Sequence, residues 1–153
     1  MAYPAPLPIR IKIPDQESMD LTTVREVTTK VEGLLHLEPG QLVLEWAVSQ
    51  KVQEVGLSGI TDEVEEFEPE VAELPLEWIS SISLAGGILF PRVVVRARGL
   101  RFLEGIPGAK GARLELHYAR SDRMVAVALV REIEAALQAP LLDDSGETPR
   151  LAP

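Results

Sequence analysis

His117 and Glu115 stand two residues apart in the run ARLELHYA, where a strand would turn both to one face and Leu116 and Tyr118 to the other. A histidine beside a carboxylate is the material of general-base catalysis. The chain supplies nothing for the pair to act with: it has no cysteine, and neither a nucleophile nor a metal-ligand pattern accompanies it. His36 alternates with Leu35 and Leu37 and is expected to face water. Asp62, Glu63, Glu65, Glu66, Glu68, Glu70 and Glu73 could offer oxygens to calcium, but no twelve-residue loop with a central glycine frames them. A solvated acidic strand is the simpler reading. Gly86-Gly87 and the loop Gly105 to Gly111 have the composition of phosphate loops, yet no Gly-Lys-Ser/Thr follows either, so both read as hairpin turns. Arg96, Arg98 and Arg101, with Phe102 near enough to stack, form the candidate partner or anion surface. No catalytic residue, metal or cofactor is expected.

The element that must position these groups runs from Phe90 to Leu137. Within it Val93, Val95 and Ala97 alternate with arginines, ARLELHYA aligns Leu114, Leu116 and Tyr118, and a helix follows. Ala126, Leu129, Ile133, Ala136 and Leu137 share one side of that helix, with Arg131, Glu134 and Gln138 opposite. Ser121 and Asp122 are suited to cap its start and Pro140 lies just past its end. Met124 and Val127 fall near the polar side, either as incidental surface residues or as a helix contact surface.

The chain of 153 residues is one domain of ordinary size, able to bury a core without staples. The start MAYPAPLPIR has no apolar run of signal-peptide length and no stretch approaches transmembrane length, so a cytoplasmic protein is expected. A formal charge of -9 argues against whole-protein attraction to nucleic acid or to anionic lipid. The charges are segregated. Between Glu45 and Glu77 there are ten acidic residues and one basic, and between Arg92 and Arg131 nine basic and three acidic. Adjacent strands could pair these blocks, each pair contributing roughly 0.2–1 kcal/mol; otherwise the molecule is a dipole whose faces meet different partners.

Taken in order, residues 1–14 form a proline-rich lead-in containing IRIKI, a short strand whose flanking prolines suit a sheet edge. Over 15–40, Leu21, Val24, Val27 and Val31 keep helical spacing behind Ser18 or Asp20, which predicts a helix, followed by a type II turn at Pro39-Gly40. Leu42, Leu44, Trp46 and Val48 give one face of a long strand, and further strands are broken by Pro69, Pro75 and Gly86-Gly87. Residues 41–139 form the main domain and 140–153 a polar tail expected to be disordered. This is an α+β pattern: a strongly bent antiparallel sheet or small barrel, capped by a C-terminal helix, with an N-terminal strand and helix added.

From Leu42 to Leu137 the chain resembles a divergent bacterial pleckstrin-homology-like domain. The resemblance rests on the order of elements, on Trp46 in the first long strand, on PLEWISSISLAGG before PRVVVRARGL, and on ARLELHYA running into RSDRMVAVALVREIEAAL. It implies binding, to lipid headgroups or to proteins. The basic cluster of the lipid-binding members is replaced here by VSQKVQEVGLSGITDEVEEF, with Lys51 alone among acids. The expectation is therefore a non-enzymatic module for a protein partner, with no nucleic acid, no stable membrane binding, and homo-oligomerisation open. The alternative is a small-ligand-binding protein or enzyme using the barrel interior or the basic strand face.

Overall fold

The computed structural model describes residues 4–151, with side chains described through residue 139. Among the described residues, nine strands are followed by one α-helix: β1 Leu7–Lys12, β2 Gln16–Met19, β3 Thr23–Glu38, β4 Gln41–Gly56, β5 Gly59–Glu66, β6 Glu70–Pro75, β7 Ile79–Ala85, β8 Arg92–Ala97, β9 Arg113–His117 and α1 Arg123–Leu151. All belong to one antiparallel sheet in the order β5-β4-β3-β1-β9-β8-β7, with β2 beside β3 and β6 beside β4. The sheet is open, ending at β5 and β7. No helix among the described residues is long and apolar enough to cross a membrane.

The spine is the hairpin β3–β4, paired from Glu38↔Gln41 at its turn to Thr23↔Gly56 at its far end. Each flank of the hairpin is a broken strand: β1 then β2 along β3, and β6 then β5 along β4. Prolines sit at both breaks, Pro14 in the first and Pro69 in the second. The half of the hairpin nearer its turn belongs to the body. There Val31, Leu35 and Leu37 of β3 and Leu42, Leu44 and Trp46 of β4 point into the core. Gly33 lies on that same face opposite Trp46, and a Cβ there would collide with the backbone carbonyl of Glu45. Glycine at this position admits the close approach of the two backbones.

The other half leaves the body. In β2, β5, residues 23–30 of β3 and residues 49–56 of β4, no residue is buried. These segments form a four-stranded arm with water on both faces, about 25 Å long for eight residues per main strand.

Beneath the body of the sheet lies α1. Ala126, Leu129 and Ile133 are fully buried there, while Arg131, Glu134 and Gln138 are exposed, as the periodicity predicts. The helix packs chiefly against β7, and Arg120–Asp122 form a 3-10 turn leading into it. The tail expected to be disordered, 140–153, lies outside the residues whose side chains are described.

Three expectations are overturned. Residues 16–19 and 23–38 are strands, not a helix. Three threonines and three valines fall between Thr23 and Val31, and their branched side chains fit a pleated sheet better than a helix. The alternation Val27, Thr29, Val31, Gly33, Leu35, Leu37 shares the core-facing side of β3, and it outweighs the helical spacing. The strand IRIKI is internal rather than an edge, lying between β3 and β9. Its second neighbour asks little of it, since Arg10↔His117 is the one residue pair in register with β9. Finally, the acidic and basic strands do not pair. The acidic β5 and β6 lie beside β4, while the basic β8 and β9 lie at the other end of the sheet with β3 and β1 between. The charge segregation of the sequence is thus carried into space.

Candidate functional site

A cleft of about 940 Å³ opens where the sheet divides. Beyond Arg10↔His117 the two strands separate: β1 continues through Ile13 and Pro14 toward the arm, and β9 leads back to Arg113 and the Gly105–Gly111 loop. Ile11, Ile13, Thr29 and Val31 line the arm side and Gly108 the loop side. Gly108 has φ 78°, and a Cβ on it would stand 2.5 Å from Cγ2 of Ile11 and 3.4 Å from Cδ1 of Ile13. Only glycine lets the loop approach the isoleucines this closely.

Among the described residues, six cations line the cleft, Arg10, Lys12, Lys30, Arg92, Lys110 and Arg113, with Glu115 as the one carboxylate. Strand alternation sets most of them there. The core faces of β1 and β9 hold Ile9, Ile11, Leu114 and Leu116, so the intervening Arg10, Lys12, Arg113, Glu115 and His117 must face outward. Oε1 of Glu115 accepts two hydrogen bonds, from Nε of Arg92 at 3.0 Å and from Nη2 of Arg113 at 2.9 Å. Partial burial pushes the Glu115 carboxyl up, but those two bonds and the charges of both arginines outweigh it and hold the group below its ordinary range. Nζ of Lys12 stands 5.4 Å from the centre of the Phe90 ring, a cation–π contact. Nζ of Lys30 is 3.1 Å from Glu32, an exposed pair of small worth. Among the described residues, neither Arg10 nor Lys110 has a carboxylate within 4 Å. The cleft therefore carries excess positive charge on a chain whose total is -9.

His117 stands in a cross-strand row between Arg92 of β8 and Arg10 of β1. Burial lowers its pKa first, and the charges of Lys12, Arg92 and Arg10 lower it further, against an opposing pull from Glu115. The folded protein thus favours the neutral ring. Stability from this group is present above the ordinary value of 6.5 and is lost as pH falls toward the lower folded value. An NMR titration should find the His117 ring protonating below 6.5, and His117→Gln should flatten stability against pH over that window. A ring titrating at or above 6.5 would contradict the electrostatics described here.

The sequence-expected groups fall partly in this region. Arg96 lies directly opposite Arg113 and so borders the cleft. Arg98, past the end of β8, donates its backbone N–H to the carbonyl of Trp78, and Arg101 sits exposed in a 3-10 turn at Leu100–Leu103; neither lines the cleft. Phe102 stacks on Trp78, with ring centres 4.8 Å apart and planes 14° from parallel, rather than on an arginine. Met124 is 78% exposed and Val127 half-buried. The Glu115 carboxylate bonds to arginines and not to His117, so the two do not form a hydrogen-bonded couple. On β5, Glu63 and Glu65 share one face and Asp62 and Glu66 the other, and no group of three or more ligands for a metal forms among the described residues. Arg10, Lys12, Lys30 and Lys110 lie outside the surface that the sequence suggests: Arg10 and Lys12 form the charged face of IRIKI, and Lys30 and Lys110 carry no local signal. No family model, curated protein or solved structure matches the chain.

Proposed function

We propose that the protein is a non-enzymatic interaction module whose basic cleft receives an acidic segment of a protein partner. The observation that carries this reading is the gathering of six cations around one carboxylate in an open cleft of an otherwise acidic protein. Two of the arginines are fixed by Glu115, which holds their guanidinium groups in place, while Arg10 and Lys110 are available to pair with incoming carboxylates. The cleft is lined by residues of four strands, β1, β3, β8 and β9, and of two connections, Ile13-Pro14 and the loop bearing Gly108 and Lys110, so that most of its frame is sheet.

The resemblance to a pleckstrin-homology-like domain belongs to the same proposal. An antiparallel sheet with one C-terminal helix packed on it is what supports this part, although the sheet is open and β1 lies out of sequence between β3 and β9; residues 7–40 then belong to the domain as three of its strands rather than as an addition. A second reading, a small-anion-binding protein, is favoured by the convergence of His117 with the arginines. The interior offers less to that reading, since Leu, Val, Ile and Trp side chains fill it.

The test is an NMR titration of the full chain with a glutamate-rich peptide and, separately, with inorganic phosphate. The peptide should shift signals of Arg10, Lys12, Lys110 and His117, raise the His117 pKa, and bind more weakly as salt increases. Arg10→Glu combined with Lys110→Glu should weaken peptide binding at least tenfold. Saturable phosphate binding that excludes the peptide would favour the small-anion reading. A peptide that leaves the cleft signals unmoved overturns the proposal.

A further inference from the structure

The arm carries its own surface. On its outward face Met19, Val24, Val55 and Ile60 are directly opposed across all four strands, forming one apolar row. Met19 is 78% exposed, Ile60 65% and Val55 43%, and Leu21 and Leu57 at the adjoining turns are almost wholly exposed. The next row on the same face is Glu17, Glu26, Gln53 and Asp62. An apolar end with an acidic collar is a poor surface to leave in water and a specific one to cover.

Its complement lies on the same chain. The cleft is bordered by Phe90, held near Lys12, and Phe90 follows Ile88 and Leu89, all three more than 60% exposed. One surface is therefore acidic around exposed aliphatics, and the other basic beside them. The arm cannot satisfy its own cleft. Lys30 lines the cleft at the base of the arm, and β3 is paired without interruption from there to the tip. The six residue steps from Lys30 to Val24 hold the row about 20 Å away.

We infer that the arm of one copy docks on the basic cleft and Ile88–Phe90 loop of a second copy of this chain. The inference rests on the reading of the cleft as a site for acidic protein segments and names the segment. The contact joins two different surfaces, so copies either close reciprocally as a dimer or continue as a chain. Opposite charges at the contact set orientation and approach, and the apolar residues supply the burial.

Light scattering and sedimentation of the full chain test this. The parent should self-associate with rising concentration, and more weakly at 1 M salt than at low salt (about 3 Å against more than 10 Å of screening length). Arg10→Glu with Lys110→Glu should be monomeric, as should Glu26→Lys with Asp62→Lys, each with at least a tenfold loss of association. All four positions are exposed, so melting temperatures should stay near the parent's. Mixing the two variants should yield a complex, since the first keeps a sound arm and the second a sound cleft. A parent that stays monomeric to millimolar concentration overturns the inference, as does association that neither variant weakens. If the glutamate-rich peptide still binds in those cases, the reading of the cleft survives and only the identity of its partner is lost.

Discussion

Deleting residues 1–14 should leave a chain without a cooperative melting transition. The deletion removes β1, and β1 is the strand that joins the two parts of the sheet: β3 with the hairpin on one side, β9 with β8 and β7 on the other. Leu7, Ile9 and Ile11 are 0%, 3% and 4% exposed. Burying three such side chains contributes roughly 5–9 kcal/mol at about 1.5–3 kcal/mol each. A whole domain of this size has a net stability of about 5–15 kcal/mol. The loss also strips the β3 backbone of its partners from Lys30 to Leu35 and exposes the edge of β9. Circular dichroism melting and proton NMR dispersion are the measurements. A truncated protein with the parent's melting temperature would mean that β1 is dispensable, and the sheet order described here could not stand.

That strand also shows how much of the molecule is legible in its sequence. IRIKI announces a strand with one apolar face, because a period of two survives any context. Which strands it would lie between is a matter of long-range pairing, and local composition does not encode it. The prolines on either side pointed to an edge, yet a neighbour in register at one residue pair is compatible with them. The stretch from Ser18 to Gly33 misleads for a different reason. Leu21, Val24, Val27 and Val31 fit a helical stripe, while the side of β3 that faces the core is Val31, Gly33, Leu35 and Leu37, and its glycine is picked out by no hydrophobic count. Gly33 is needed there because the β4 backbone passes too close for a Cβ, a consequence of long-range pairing.

The cleft is less legible than the fold. Its cations come from β1, β3, β8, β9 and one loop, and each alone looks like an ordinary solvated residue. They meet because β1 is inserted between β3 and β9. What the sequence does carry is the segregation of charge between residues 45–77 and 92–131, and the structure resolves its ambiguity: the blocks remain apart. Arg92 and Arg113 find their carboxylate in Glu115, within the basic block itself.

The helix gives the second large effect. Leu129→Ala or Ile133→Ala should each destabilise the protein by about 2–5 kcal/mol, through lost burial and the cavity left behind. Both side chains are 0% exposed. They stand one turn apart on the face that α1 turns toward β7, and Ile79 and Ile82 of β7 are buried at 1% and 3% in the same core. A strand pair and a helix cannot close over a missing side chain without shifting their backbones, so collapse recovers little of the loss. For a chain of this length the expected fall in melting temperature is roughly 5–20 °C. Met124→Ala and Arg131→Ala, on the exposed side of the same helix, should change stability by no more than about 0.5 kcal/mol. The comparison separates packing from helix propensity, because all four substitutions introduce the same residue. Thermal and urea unfolding of the four variants give the answer. If Leu129→Ala and Ile133→Ala melt with the parent, α1 does not cover the core, and the body of the sheet must be closed by something else.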